Sequence, residues 1–296
     1  MLPKMIVIEG TNASGKSALG IALARKYGGE IISADSRQVY RGLDLGSGKV
    51  TEDEMNGVRH HLLDVVEPGS FFSMADFQRL AYAAAEEILA RGKVPFLVGG
   101  TGLYIDAVAD GYLLSDKAPD AALRAHLETF DTPALYQMLM DRVPDAEVDP
   151  RNRHRVMRML EKLEAGDTHT AGKEARFSVL KFGVTWPREI LKQRIDERLE
   201  RRMRAGMAAE VQGLLDAGVS REFLLKLGLE YKYLTLYLTG RMGEAEMLEE
   251  LSREIKRFAK RQMTWFRRDP RIIWLDMTAD PEAEAGARIE AFLAEN

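Results

Sequence analysis

The stretch MIVIEGTNASGKSALGIALA, residues 5–24, constrains the fold more than any other part of the chain. An apolar run, a glycine-bounded loop and a helix-forming run follow one another, and the loop fits the pattern G-x-x-x-x-G-K-[ST]. Gly10 and Gly15 bracket Thr11, Asn12, Ala13 and Ser14, so the backbone N–H groups between them can turn inward around phosphate oxygens at the start of a helix. Lys16 adds positive charge for a terminal phosphate, and the Ser17 hydroxyl suits Mg²⁺. A glycine turn that merely joins strand to helix would not require Lys16 and Ser17 together. Residues 10–17 are therefore read as a diphosphate-binding loop, which leaves open whose diphosphate it holds.

Short apolar runs recur between helical stretches: MIVIE (5–9), EIISAD (30–35), HLLDVV (61–66), VPFLVGG (94–100), LKFGVTW (180–186) and IIWLDM (272–277). Runs of this length, rich in Val, Ile and Leu and without strict alternation, suit strands buried on both faces of a parallel sheet. Helices lie between them, such as 73–93, with Ser73 as N-cap and Gly92 as the stop. The rhythm predicts a doubly wound, P-loop NTPase-like α/β core whose ligands bind at the carboxyl ends of the strands. It breaks between about 113 and 178, where two or three helices are expected and no strand. The predicted organisation is a core of residues 1–112 and 178–296 with a helical insertion at 113–177. Long charged helices are expected at 188–217 and 244–267.

With 296 residues, 46% hydrophobic and 30% charged, the composition is that of an ordinary soluble globular chain with ample core. Zero cysteines exclude a disulfide framework, a thiolate zinc site and a cysteine nucleophile. The five histidines include His60 and His61 but no H-E-x-x-H spacing, so no zinc is expected. Met1 to Lys4 carries no signal-peptide pattern and no apolar run is long enough to span a bilayer, which predicts a cytoplasmic protein without a membrane segment. The net charge of −4 divides unevenly: residues 1–148 hold 14 Lys and Arg against 21 Asp and Glu, the rest 28 against 25. Positive charge clusters in RNRHRVMR (151–158) and in 253–271; such runs are either solvated helix faces or local sites for a polyanion.

Asp35 ends the second apolar run. A carboxylate there faces the same crevice as the phosphate loop and suits a general base, although an aspartate at a strand end also serves as a cap or turn residue. No run ends in a clear Walker-B aspartate, which disfavours an ATP-driven motor. GGTGLY (99–104) follows another strand end; its glycines permit close backbone approach and Thr101 offers a hydroxyl, although a tight turn would read the same way. RIDERLERRM (194–203) spaces Arg194, Arg198 and Arg201/Arg202 along one helix. Such spacing suits either an exposed, charge-laced helix with i,i+4 pairs or one arginine that reaches a departing diphosphate and neutralises it, and physics alone leaves Arg194 and Arg198 equivalent.

The order of these pieces carries a resemblance. GTNASGKS, ISADSRQVYRGLDLGSGK, HHLLD, VPFLVGGTGLY, RNRHRVMRMLE and FAKRQMTWFRR resemble, in order and through nearly the whole chain, the tRNA dimethylallyltransferases (tRNA isopentenyltransferases). DSRQVYRGLD, GGTGLY and AKRQMTWF are the specific motifs, since a generic kinase has no use for them. The resemblance implies that the loop holds the diphosphate of dimethylallyl diphosphate rather than ATP. The five-carbon group would pass to N6 of the adenosine 3′-adjacent to the anticodon in tRNA. It further implies Asp35 as base, Thr101 beside the reacting nucleotide, Arg198 (from the pattern R-I-x-x-R) on the diphosphate, and Mg²⁺ on Ser17. Asp35, Ser36, Arg37 and Gln38 would touch the flipped nucleotide; His154, Arg155, Val156, Met157 and Arg158 in the insertion, with the basic C-terminal helix, would hold the anticodon stem-loop. A monomer is expected. Three departures stand out: Thr11-Asn12 where the family reads Pro-Thr, GSGKV (46–50) for G-T-A-K-P, and EYKY (230–233) for G-Y-R-Q, with Lys232 in the place of the arginine. Competing readings are an adenylate dimethylallyltransferase, a P-loop small-molecule kinase, and an RNA-binding protein with an idle loop.

Overall fold

The computed structural model describes residues 1–114, 120–166 and 172–295. β1 (Lys4–Gly10) is buried on both faces because its alternating side chains serve two cores. Met5 and Val7 join one cluster with Ile32 and Leu97, whereas Ile6 and Ile8 join another with Ile31 and Phe96. α1 (Lys16–Lys26) returns the chain to β2 (Gly29–Ala34). The short α2 (Glu52–Met55) and two-residue β3 (His60–His61) follow, then α3 (Met74–Ala90), β4 (Val94–Gly99) and α4 (Gly102–Ala109). Ser73 caps α3 in a reciprocal box with Asp76, and Gly92, at φ 68°, turns the chain away from the helix end.

After the insertion, β5 (Ser178–Thr185) re-enters the sheet, α8 (Arg188–Arg204), α9 (Met207–Asp216), α10 (Arg221–Leu227), α11 (Leu229–Leu238) and α12 (Glu244–Phe266) build a helical layer, and β6 (Ile273–Asp276) and α13 (Pro281–Ala294) complete the fold. Between α4 and β5 the insertion carries α5 (Ala121–Glu128), α6 (Thr132–Arg142) and α7 (Arg153–Glu164). The sheet is parallel throughout, in the order β3-β2-β4-β1-β5-β6. One face is covered by α3 and α4 through Phe77, Ala81, Tyr104 and Ile105, the other by α1 and α13 through Leu23, Ala24, Ala285 and Ile289. Residues of α8 to α12 share a third core with Val39, Tyr40 and Leu43, which pins the segment after β2.

Two expectations are corrected. HLLDVV is not a strand beyond His61: Leu62 and Asp64 take positive φ, 64° and 56°, which an extended ladder does not accommodate. The predicted helix 188–217 is two helices, because Gly206 at φ 100° lies outside right-handed helical geometry.

The described residues form two compact units, Met1–Gly111 with Ala175–Asn296, and Tyr112–Glu174. The second unit contains three helices, Ala121–Glu128, Thr132–Arg142 and Arg153–Glu164. Their facing stripes bury Leu127, Leu135, Leu139, Val156, Met157 and Leu160. Glu161 is buried and accepts from Arg124 at 2.6 and 3.0 Å and from Arg158 at 3.1 Å. So small a core has little to spare. Leu139→Ala should cost about 2–5 kcal/mol, read as faster amide hydrogen exchange across residues 132–164; unchanged exchange there would contradict this description of the core.

Candidate active site

Strand register builds the site. Glu9 pairs with Gly99 and Gly99 with Ala34, so these three residues form one row across β1, β4 and β2. The residues that follow them, Gly10, Gly100 and Asp35, therefore leave the sheet side by side. With strands about 4.8 Å apart, Asp35 begins roughly 10 Å from the phosphate loop. That gap is of the size a diphosphate ester and an acceptor would occupy together.

At β1 the chain turns through the loop into α1. Gly10 has no room for a side chain, since a Cβ would lie 2.5 Å from Val184. Ala13 and Gly15 take positive φ, 61° and 89°. The loop is braced from outside: Trp186 Nε1 donates to Ser14 O (2.8 Å), and Arg194 Nε donates to Ala13 O (3.0 Å) while its guanidinium stacks 4.3 Å from the Trp186 ring. Among the described residues, Ser14 Oγ is buried without a hydrogen-bond partner, the kind of orphan a polar ligand or water satisfies.

Asn12, Lys16, Ser17, Asp35, Gln38 and Arg198 line one cleft with about 510 Å³ of empty space, part of it open to solvent. Among the described residues, Lys16 Nζ makes one long contact, to Thr11 O at 3.4 Å. Burial and the neighbouring Arg198 guanidinium push its pKa down to about 8, against the pull of Asp35. Arg198 donates to Gly48 O at 3.3 Å, and burial and Arg202 bring its pKa down to about 10. Two cations held at a cost to their charged forms are what an arriving anion relieves. The geometry also separates the two arginines that spacing left equivalent: Arg198 lines the cleft, and Arg194 is engaged with the outside of the loop.

Asp35 Oδ1 accepts from the Arg37 N–H at 2.9 Å, an Asx-type turn that fixes the carboxylate at the strand end. Thr101 stands at the N-cap of α4, yet its Oγ1 accepts the Ser36 N–H (3.1 Å) and its own N–H donates to Ala34 O (3.1 Å). Thr101 is thereby tied to the residues on either side of Asp35. Gln38 accepts from Ser33 Oγ at 2.9 Å and donates to Gly48 O at 3.3 Å.

Several predicted contacts lie elsewhere. The Arg37 guanidinium is buried and donates to Glu230 at 2.6 Å, with Arg202 on the same carboxylate at 2.9 Å. Burial alone would raise the Glu230 pKa, but the two guanidiniums overcome it and hold it at about 2. Arg37 thus faces inward rather than toward a nucleotide. Val156 and Met157 are core residues of the insertion, because Leu160 lies four and three positions on along the same stripe. Of the quintet 154–158, His154 and Arg155 are exposed and Arg158 is paired with Glu161. Lys232 is exposed, 5.3 Å over the Tyr233 ring. Sequence reasoning missed Glu230 and gave Gln262 no role; the departure EYKY and the motif AKRQMTWF were the available signals. Lys49, within GSGKV, binds Asp44 and Asp64 at 2.5 Å each, which ties the segment after Asp35 to the HHLLD turn.

A parallel sheet with this loop at the carboxyl end of β1 is a P-loop fold. A family model described as IPP transferase matches residues 38–269. The chain is 44% identical over 291 residues to tRNA dimethylallyltransferase 1 of Geotalea daltonii, covering 96% of this chain and 94% of that one. It is 42% identical to the tRNA dimethylallyltransferase of Geobacillus thermodenitrificans, covering 95% and 93%. Among solved structures, the full-length tRNA isopentenylpyrophosphate transferase of Bacillus halodurans superimposes with a TM-score of 0.75 at 38% identity, over 98% of this chain and 95% of that one. A eukaryotic dimethylallyltransferase acting on tRNA gives 0.80 at 26% identity, over 96% and 77%. The chain belongs to the IPP transferase family, that of the tRNA dimethylallyltransferases.

The Lys16 environment has a pH signature. Below about pH 8 the ammonium is formed and attracts an anion; as pH rises through that value the charge is lost. Affinity for an alkyl diphosphate should therefore weaken between about pH 7 and about pH 9, measured by calorimetric titration. Lys16→Met should bind weakly at both, without the step; an equal step in the variant would assign the titration to another group.

Proposed function

We propose that this chain transfers the dimethylallyl group from dimethylallyl diphosphate to N6 of the adenosine 3′-adjacent to the anticodon in tRNA, releasing diphosphate. Family membership supports the reaction class. The single observation that carries the assignment of roles is the row that brings the loop, the Gly100–Thr101 turn and Asp35 out of the sheet together.

An exocyclic adenine amine is a poor nucleophile because its lone pair is delocalised into the ring. Asp35 takes its proton as the N6–C1 bond forms, and the C1–O bond breaks with its electron pair going to the diphosphate. Thr101 holds the Asp35–Ser36 turn in place and offers its hydroxyl to the adenine. The loop N–H groups that follow Asn12, with Lys16 and Arg198, stabilise the leaving charge. The donor set suits Mg²⁺: one hydroxyl, Ser17, beside a diphosphate leaves the remaining positions to water, as that ion prefers. When bound, it supplies further charge neutralisation. Among the described residues no group of three or more His, Cys, Asp or Glu is arranged to hold a metal without substrate.

The adenine reaches this cleft only if flipped out of the anticodon loop. Of residues 154–158 on the insertion, the exposed His154 and Arg155 are available to the RNA backbone. On α12, Arg257, Lys260 and Arg261 surround a surface groove with Trp265 and with Arg268 just past the helix end, and the Arg268 guanidinium lies 3.8 Å over the Trp265 ring. Cation and aromatic side by side suit phosphate and base contacts. No helix among the described residues is long and apolar enough to cross a membrane. We place the protein in the cytoplasm as a monomer, since one chain supplies every group invoked.

Purified protein with Mg²⁺, labelled dimethylallyl diphosphate and unmodified tRNA should transfer label to the tRNA. AMP and ATP in parallel reactions should remain unlabelled. Asp35→Ala should lower kcat by about 10²- to 10⁴-fold. Label entering free nucleotide alone would move the reaction to an adenylate enzyme, and no label in any tube would sink the prenyl-transfer reading.

A further inference from the structure

Strand register fixes where the phosphate loop and the Gly100–Thr101 turn leave the sheet, and a second contact holds them to each other beyond the strand ends. They leave different strands, and among the described residues no side-chain hydrogen bond joins one directly to the other. The connection is a single amide. Gln262, on the inner face of α12 and only 7% exposed, accepts the Asn12 N–H at Oε1 (2.9 Å) and donates from Nε2 to Gly100 O (2.8 Å).

The approach is close enough to dictate residue type. A Cβ on Gly100 would lie 2.7 Å from Gln262 Nε2 and 3.3 Å from Gly10 O. One turn further along α12, Trp265 occupies the space a side chain on Gly102 would need, and its Nε1 donates to Asp106 at 2.8 Å. Gln262 and Trp265, three positions apart, therefore straddle Thr101. The two glycines flanking Thr101 are open seats for α12. Thr101 in turn accepts the Ser36 N–H beside Asp35. A continuous path runs from Asn12 in the donor loop, through the Gln262 amide, to Gly100, Thr101 and the residue next to the proposed base.

We propose that Gln262 is a positioning residue that sets the diphosphate loop in register with the Thr101–Asp35 acceptor turn through its two amide hydrogen bonds. Its effect is on the relative placement of donor and acceptor, not on the binding of either. By taking the Asn12 N–H it orients that peptide and leaves the N–H groups of the following residues to the ligand. An amide is required because one end must accept and the other donate; a carboxylate would face the Gly100 carbonyl oxygen, and a thioether would satisfy neither partner.

The proposal rests on the prenyl-transfer reading for its kinetic test, and on hydrogen exchange for a test independent of it. In single-turnover and steady-state assays, Gln262→Met should lower kcat by about 10- to 100-fold, with KM for the diphosphate donor and for tRNA within about threefold of the parent. Gln262→Glu, which keeps the acceptor for Asn12, should lose kcat as well. Combined with Thr101→Ala, the loss should be smaller than the product of the single losses, because both act along one path. Amide exchange in Gln262→Met should quicken at Asn12 and also at Ser36, whether or not the parent protein alkylates tRNA. An inactive parent with this exchange pattern would sink the functional reading and leave the coupling standing. Parental kcat in both variants, multiplicative losses with Thr101→Ala, or exchange that changes at Asn12 alone would overturn the proposal.

Discussion

The hydrogen-bonded register of three neighbouring strands is the constraint from which the site follows. β2, β4 and β1 lie side by side, and the row Ala34–Gly99–Glu9 makes each strand end at the same height. A shift of one residue in any of them would turn every side chain of that strand to the opposite face. Here that shift would strip two cores at once, since β1 feeds Met5 and Val7 into one and Ile6 and Ile8 into the other. Core packing thus holds the catalytic geometry indirectly. Loop, turn and acid are fixed relative to one another because the strands beneath them cannot slide.

Charge is partitioned with similar economy. Four cations, Lys16, Arg37, Arg198 and Arg202, crowd the region around Asn12. Glu230, fully buried, engages Arg37 and Arg202. Among the described residues, Lys16 and Arg198 make long contacts to backbone carbonyls, and burial depresses the pKa of both. The first pair is structural, and the second is available to an anion. A buried ion pair of this kind adds little net stability, but removing one partner leaves an uncompensated charge.

Much of this was legible from local patterns. The strand–loop–helix of residues 5–24 announced itself because its chemistry and its geometry occupy consecutive residues, and Asp35 was visible as the end of a buried run. HLLDVV was misread because an apolar run does not reveal the positive φ values of Leu62 and Asp64. Val156 and Met157 were carried along with a matched motif, although helical spacing to Leu160 already marked them as core. Arg37 and Glu230 are 193 residues apart, and Asn12 and Gln262 are 250 apart. Pairings at such distances are set by the tertiary fold, and no local rule exposes them.

The central claim is that donor and acceptor meet in the cleft above this row. A structure of the protein bound to an unreactive thio analogue of dimethylallyl diphosphate and an anticodon stem-loop measures it directly. The account predicts the diphosphate inside residues 10–17 with Lys16 and Arg198 upon it, and the adenine N6 within about 3 Å of the Asp35 carboxylate. An adenine bound away from Asp35, or a diphosphate outside the loop, would contradict it.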